Sequence, residues 1–350
     1  MKSTIVAFEK KVEQLENYLS SWQRAKEDVS KAKGQNIELP ASICDLLNNT
    51  TKRIFDYKLS ILILYGVFEN FIENMISSYL GRLQQMVSSY DRLPKEIKDH
   101  HTERSAKLLG YICSGYSKYD NVSIENVVQG MYLCVSKNNA YQLNIPAFTH
   151  HSSNLRMDTV RELFNGIGIK GIDKIILDSN FQDGIIDDMM GSLTKEELED
   201  AKFQKLSELV ERRNDIAHGV EDADENILKA DMIETDYCRY LKVLARLIYR
   251  AVLREYAALV IKENADSCCL GKPIEVYNNR IVCLSNQNKR IACGNYLVGQ
   301  NDVGELRVGE IQSLQVDNCP VRSVSSEELK NIGMKVDFRA KKKFTYYVFQ

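Results

Sequence analysis

The sequence predicts a mainly α-helical protein with a small β-rich domain at its C-terminal end. Apolar residues recur every three or four positions, among many charges, through most of the first 265 residues. After Ala265 the pattern changes to short runs rich in β-branched and aromatic residues. The length of 350 residues is enough for two domains. We therefore expect a helical domain at residues 1–265 and a small barrel-like β domain at residues 266–350.

A long N-terminal helix is predicted over residues 4 to about 33. Its apolar stripe has the spacing of one helix face and consists of Ile5, Phe8, Val12, Leu15, Leu19 and Trp22. After a break at Pro40, a second helix is predicted over about 51–88. Its centre, Ile61–Phe68, is apolar on most faces, as in a helix buried within a bundle.

Further helices follow along the chain. Two are predicted from Pro94 to Cys113 and from Ile124 to Val135. Another follows Ser152–Asn154, whose side chains suit a helix cap. A capping box at Thr194–Glu197 begins a helix that runs to His218, with Gly219 in the stop position. The last helix is predicted over about 231–263.

The β domain is predicted from its short β-rich runs. These are Ile274–Val276, Arg280–Leu284, Arg290–Cys293 and Phe344–Phe349. The tail from Val308 to Phe349 also resembles the β-barrel that accompanies translation-factor GTPases, which implies a barrel that recognises RNA or a ribosome-like partner.

Composition and charge exclude several classes of protein. The net charge is −2 and the pI is near 6.3, so the chain as a whole lacks the basic footprint of a sequence-independent DNA-binding protein. The longest apolar run has eight residues, which is too short to span a bilayer, and the N-terminus lacks a secretory signal. The nine cysteines are scattered without metal-ligand spacing. We expect a cytoplasmic protein without a membrane segment, cofactor or metal.

Two histidine pairs are candidates for a metal site. They are His100-His101 and His150-His151, and no carboxylate–histidine motif accompanies either pair. We therefore interpret both pairs as polar surface or helix caps.

The residues best suited to catalysis lie at the end of the helix that precedes Gly219. Arg213, Asn214 and His218 stand together, and Asn214 and His218 share a helix face because they are four positions apart. Cleavage of RNA by its own 2′-OH needs a base near neutral pKa and a cation that holds the phosphate, and histidine and arginine suit these tasks. The same pattern also suits a solvated helix end with paired charges.

The stretch Arg213–Gly219 resembles the Arg-x(4–6)-His signature of the HEPN superfamily of RNA-directed ribonucleases and toxins. Two further segments, Leu64–Ile72 and His151–Arg156, are similar to HEPN-nuclease-like relatives in defence and toxin systems. Together the three segments span about residues 50–260.

The resemblance implies a helical bundle that dimerises and forms a composite, metal-independent ribonuclease site. Arg213, Asn214 and His218 would be catalytic in that site, and Glu69 would orient Arg213. Expected partners are RNA, tRNA included, a second copy of the chain, and a protein regulator, antitoxin or phage-derived trigger. The alternative is a non-catalytic HEPN scaffold that binds RNA, nucleotide or a protein partner.

Candidate RNA contacts outside the catalytic set are basic. They are Arg212, next to Arg213, and Lys341, Lys342 and Lys343, which are followed by Phe344, Tyr346 and Tyr347 near the C-terminal end. Residues 266–350 carry a net charge of +3, against −5 for the rest. A solvated turn beside a core strand explains the three lysines equally well.

Overall fold

A computed structural model describes residues 1–136, 140–185, 203–219, 227–285, 289–325 and 331–350. It confirms a mainly helical chain that ends in an antiparallel sheet. Packing divides the chain into two compact units. Unit 1 comprises Met1–Ser78, His151–Glu162 and Lys195–Arg246, and unit 2 comprises Tyr79–His150, Leu163–Thr194 and Leu247–Gln350. The domain boundary near residue 265 stays a prediction, and the predicted capping box at Thr194–Glu197 lies outside the described residues.

Helices are present at the predicted positions, most of them with ends shifted by a few residues. The helix that ends at His218 is an exception: it begins at Gln204 and not at the predicted capping box, because Phe203 adopts a left-handed conformation with φ +64°. Those wholly within unit 1 are α1 (Lys2–Gly34), α2 (Ala41–Asn48), α10 (Gln204–His218) and α11 (Ala230–Met232), the last continuing into a π-helical turn (Ile233–Cys238). Three helices are divided between the units: α3 (Thr50–Met86), α7 (Met157–Asn165) and α12 (Arg239–Cys268), which breaks at Asn264. Those wholly within unit 2 are α4 (Lys95–Cys113), α5 (Ile124–Val135), α6 (Pro146–Thr149), α8 (Ile172–Leu177) and α9 (Ser179–Asp183).

The apolar stripe of α1 is buried within unit 1, as its spacing predicts. Five of its six members are buried, namely Ile5, Phe8, Val12, Leu15 and Leu19. The ring of Phe8 packs against Phe71 of α3 at 5.0 Å between centroids. Charged residues beside the stripe pair with the first turns of α12: Lys242 lies 2.7 Å from Glu16, and Arg246 pairs with Glu9. Apolar burial and flanking ion pairs together hold α1 in place.

Helix α3 is long and apolar enough to cross a membrane by length and composition alone. Half of its most apolar window is buried inside the protein, and the core helix of a soluble protein meets the same criteria. The absence of a membrane segment therefore stays a prediction.

The sheet of unit 2 contains strands that the sequence predicts and others that it does not. The strands are β1 (Cys269–Gly271), β2 (Glu275–Tyr277), β3 (Ile281–Ser285), β4 (Ile291–Ala292), β5 (Tyr296–Gln300), β6 (Leu306–Val316), β7 (Cys319–Val321), β8 (Ser323–Val324), β9 (Asn331–Val336) and β10 (Thr345–Phe349). All described pairings are antiparallel, and the main sheet has the order β1-β10-β5-β6-β9-β3-β2.

The β domain that the sequence predicts is an antiparallel sheet, and its described strands do not close into a barrel. Its two end strands, β1 and β2, have three residues each and do not pair with one another. The long strand β6 is shared: its first half pairs with β5, and its second half pairs with β9 and β7 beyond an irregularity at Ile311. The sheet therefore consists of two halves joined through β6.

Within unit 2, an ion pair ties α12 to the sheet. Arg250 donates two hydrogen bonds to the carboxylate of Asp337, one of them 3.2 Å long, and Asp337 also accepts the backbone N–H of Glu310. Both side chains are more than four-fifths buried. Gly309 makes room for this arrangement, since a Cβ atom there would collide with the Asp337 carboxylate.

The prediction of polar surface for the histidine pairs is wrong for His101, which is fully buried in unit 2. The Asn144 N–H donates to its Nε2 atom at 3.0 Å, so the ring proton is on Nδ1. Its ring stacks on Phe148. Burial lowers the pKa of His101 to about 4.

Acidification should therefore destabilise unit 2. Because the unfolded His101 titrates near pH 6.5 and the folded one near 4, the unfolded state binds an additional proton between these values. Stability is retained above pH 6.5 and falls by about 3 kcal/mol towards pH 4 through this group. Urea unfolding at a series of pH values measures the slope. The variant His101→Gln keeps an acceptor for Asn144 and should flatten the slope; an unchanged slope would contradict the assignment.

Candidate functional site

The predicted catalytic residues lie on the last turns of α10, within unit 1. The helix ends at His218 because Gly219 adopts a left-handed conformation, with φ +66°. The His218 side chain is exposed, and within the described part of the chain its ring has no hydrogen-bond partner. Arg213 and Asn214 are half-buried one turn earlier. A solvent-facing imidazole therefore lies one turn from a fixed guanidinium and amide.

Arg213 is held by a ring and an amide. Its guanidinium carbon lies 5.1 Å from the ring centroid of Tyr65 on α3, a cation–π contact. Its Nη1 group donates to Oδ1 of Asn214 at 3.2 Å. The other N–H groups of Arg213 have no hydrogen-bond partner among the described residues.

Asn154 connects α3 with α10. Its Nδ2 group donates to Oδ1 of Asn214 at 3.1 Å, and its Oδ1 atom accepts from the Tyr65 hydroxyl at 3.4 Å. The Leu155 N–H donates to the same hydroxyl at 3.2 Å. The sequence suggests that Asn154 is a helix cap, but its side chain is used to join Tyr65 to Asn214.

Glu69 lies beside this network, one helical turn after Tyr65. Its carboxylate is 3.4 Å from the Tyr65 hydroxyl and 3.5 Å from Nε2 of His151. Tyr65 contacts both Glu69 and Arg213, and within the described residues no direct ion pair joins those two. The predicted orienting role of Glu69 would therefore act through Tyr65.

The interpretation of His151 as polar surface or a helix cap is also wrong, because its side chain is only 9 % exposed and its ring contacts α3. Its Nδ1 atom lies 2.8 Å from the Ser153 carbonyl oxygen, and its Nε2 atom lies 3.2 Å from Glu73 on α3. The Glu73 carboxylate raises the pKa of His151. Because both ring nitrogens face oxygen acceptors, the geometry favours the doubly protonated, cationic ring.

The other candidate RNA contacts have other partners. Arg212 faces another side of α10, where it donates to the hydroxyls of Tyr57 and Tyr237 at 2.9 and 3.0 Å. In unit 2, Lys342 pairs with Glu275 at 2.7 Å and Lys341 lies 3.7 Å from Glu305, while Lys343 is exposed. Their role in RNA binding stays a prediction.

Sequence reasoning missed Tyr65, Asn154 and His151 as members of the site. Tyr65 lies in an apolar helix and has the pattern of a core residue, and burial raises its pKa. The available signal was the similarity of the segments Leu64–Ile72 and His151–Arg156 to HEPN relatives, which carry all three residues. Among the described residues, no group of three or more His, Cys, Asp or Glu side chains is placed to hold a metal ion.

A helical unit with a basic and polar cluster at one helix end is compatible with a HEPN domain, and comparison with known families supports that class. One family model matches residues 20–254, well over half of the chain and including every site residue of unit 1. The chain therefore belongs to the HEPN superfamily and, within it, to the family described as RiboL-PSP-HEPN. No curated protein matches the chain. Membership supports a role in RNA cleavage or RNA binding.

Proposed function

We propose that the protein is a metal-independent endoribonuclease of the HEPN type, which acts in phage defence or as a toxin. One observation carries the proposal: an exposed His218 lies one turn from Arg213 and Asn214, whose side chains are fixed by Tyr65 and Asn154. Family membership supports the same class of activity.

The chemistry follows from the side chains. His218 takes the proton of the RNA 2′-OH, which then attacks the adjacent phosphate. Arg213 stabilises the charge that develops on the phosphoryl oxygens, and Asn214 donates a hydrogen bond beside it. The products are a 2′,3′-cyclic phosphate and a 5′-hydroxyl end.

The leaving oxygen also needs a proton, and among the described residues of one protomer His218 is the only exposed histidine in this site. A second copy of the chain would bring a second His218 and complete the base–acid pair. We expect the copies to meet on an exposed apolar stripe of α3 that ends beside Tyr65. The stripe consists of Phe55, Leu59, Leu62 and Ile63, which are 36–66 % exposed.

Cleavage of total RNA, tRNA included, in EDTA tests the proposal. Wild type should cleave and leave 2′,3′-cyclic phosphate ends, whereas His218→Ala should be at least ~100-fold slower, the usual effect of losing a general acid or base. Both proteins should show the same helical content by circular dichroism. Unchanged cleavage by His218→Ala would overturn the assignment.

The variant Leu59→Arg tests whether two copies of the chain are needed for cleavage. It places a charge on the α3 stripe without touching Arg213 or His218, so it should sediment as a monomer and lose cleavage. Tight RNA binding without cleavage by wild type would instead support the non-catalytic scaffold.

A further inference from the structure

A directional chain of hydrogen bonds crosses the candidate site of unit 1. The Leu155 N–H donates to the Tyr65 hydroxyl, which donates to Oδ1 of Asn154. Nδ2 of Asn154 then donates to Oδ1 of Asn214, which also accepts from Arg213. The distances along the chain lie between 3.1 and 3.4 Å.

The groups at the two ends of this series of hydrogen bonds fix which atom donates and which accepts at each step. A backbone N–H and a guanidinium only donate, so Asn214 must turn its oxygen towards Arg213. The Tyr65 hydroxyl accepts from Leu155 and has one proton left for Asn154. Asn154 must therefore turn its oxygen to Tyr65 and its Nδ2 group to Asn214. If the oxygen and nitrogen of either amide changed places, two hydrogen-bond donors would face each other.

The consequence is that Nδ2 of Asn214 points away from the network. Within the described residues this group has no hydrogen-bond partner, and neither have the remaining N–H groups of Arg213. Because Nη1 of Arg213 contacts Oδ1 of Asn214, the free donors of the two side chains lie near one another. A pair of adjacent donors, one of them cationic, fits the non-bridging oxygens of a phosphodiester.

We propose that Tyr65 and Asn154 are positioning residues, which hold the Asn214 amide so that its Nδ2 group and Arg213 together grip the substrate phosphate. This inference rests on the proposed ribonuclease function and assigns roles to two residues outside the predicted catalytic set. Neither residue touches the substrate, and both act through Asn214.

His151 supports this arrangement indirectly. The Tyr65 hydroxyl lies 3.4 Å from Glu69 as well as from Asn154, and it has one proton to donate. The His151 ring lies 3.5 Å from Glu69 and 3.2 Å from Glu73, so it pairs with the Glu69 carboxylate, which competes for this proton. The proton is then available to Asn154.

Two aspartate variants test the role of the Asn214 Nδ2 donor. The first turns this donor away from the phosphate, and the second removes it. In Asn154→Asp the new carboxylate attracts Nδ2 of Asn214, so the amide turns and presents its oxygen to the phosphate. In Asn214→Asp the contacts with Asn154 and Arg213 are kept, but the outward donor is lost. Each variant should lower kcat/KM by about 100-fold, the effect of one lost transition-state donor. The matched control Asn70→Asp makes the same chemical change at an exposed position of α3 and should stay within about twofold of wild type.

A second measurement separates positioning from cleavage. A short 2′-O-methyl oligoribonucleotide cannot attack its own phosphate, and its binding is followed through the side-chain amide resonances of Asn214. Wild type and Asn70→Asp should show shifts of the Asn214 resonances, and Asn154→Asp should bind about tenfold more weakly, the cost of roughly one charge-assisted hydrogen bond.

The outcomes are distinct. Wild type that cleaves RNA, together with Asn154→Asp that keeps its kcat/KM and its oligonucleotide affinity, would overturn the positioning role alone. Wild type that binds the oligonucleotide through Asn214 and cleaves no RNA would overturn the ribonuclease function and retain the positioning role. Wild type that neither binds nor cleaves would overturn both.

Discussion

Replacing Arg213 by lysine is expected to slow RNA cleavage by about 100- to 1,000-fold, although the positive charge is kept. The guanidinium is planar, so it donates to Asn214 along one edge and still presents other N–H groups to a phosphate. Its central carbon also lies 5.1 Å from the centroid of the Tyr65 ring. A lysine ammonium is a compact charge that cannot satisfy Asn214 and grip two phosphoryl oxygens together.

Single-turnover cleavage of a short RNA by Arg213→Lys measures this loss. Arg161→Lys is the control, because Arg161 belongs to the same unit and pairs with Asp158 on the surface of α7. That variant should cleave at the wild-type rate. A rate for Arg213→Lys within about tenfold of wild type would mean that a positive charge is sufficient and that the planar arrangement of the guanidinium N–H groups is not needed.

Replacing Asp337 by alanine should lower the free energy of unfolding of unit 2 by about 3–5 kcal/mol. The change leaves the buried charge of Arg250 without its carboxylate and removes the acceptor of the Glu310 N–H. Both losses occur where little water can replace the partner, since the two side chains are more than four-fifths buried.

Urea unfolding followed by circular dichroism measures this effect. The control is Glu275→Ala, which removes an exposed ion pair with Lys342 in the same unit and should leave the urea midpoint unchanged. Similar midpoints for Asp337→Ala and wild type would show that the pair between α12 and the sheet contributes little to stability.

Helices with a regular apolar stripe could be predicted from the sequence. The stripe of α1 predicted both its length and its buried face, and α5 begins and ends at the predicted residues, Ile124 and Val135. Strand β6 was missed because it changes partners halfway: its buried residues alternate regularly only over part of its length, and Gly309 and Glu310 interrupt the apolar pattern. A strand that serves two halves of a sheet does not follow one period.

The site was predictable in part for a similar reason. Arg213, Asn214 and His218 are close in sequence and lie on one helix, so spacing alone brings them together. Arg212 and Arg213 are the same residue type in neighbouring positions, yet about 100° of helix rotation sends one to Tyr57 and Tyr237 and the other to Tyr65. Which arginine faces the site depends on tertiary packing. Asn154 joins the site over a sequence separation of 60 residues, which no local pattern encodes.

The order of strands in unit 2 means that β1 is synthesised before its partner strand β10. Strand β1 pairs with β10, so residues 269–271 leave the ribosome well before their partner at residues 345–349 exists. At about 5–20 residues per second, the interval is roughly 4 to 15 s. Throughout that interval β1 lacks this partner strand, so its N–H and C=O groups on that edge are open to pairing with other chains.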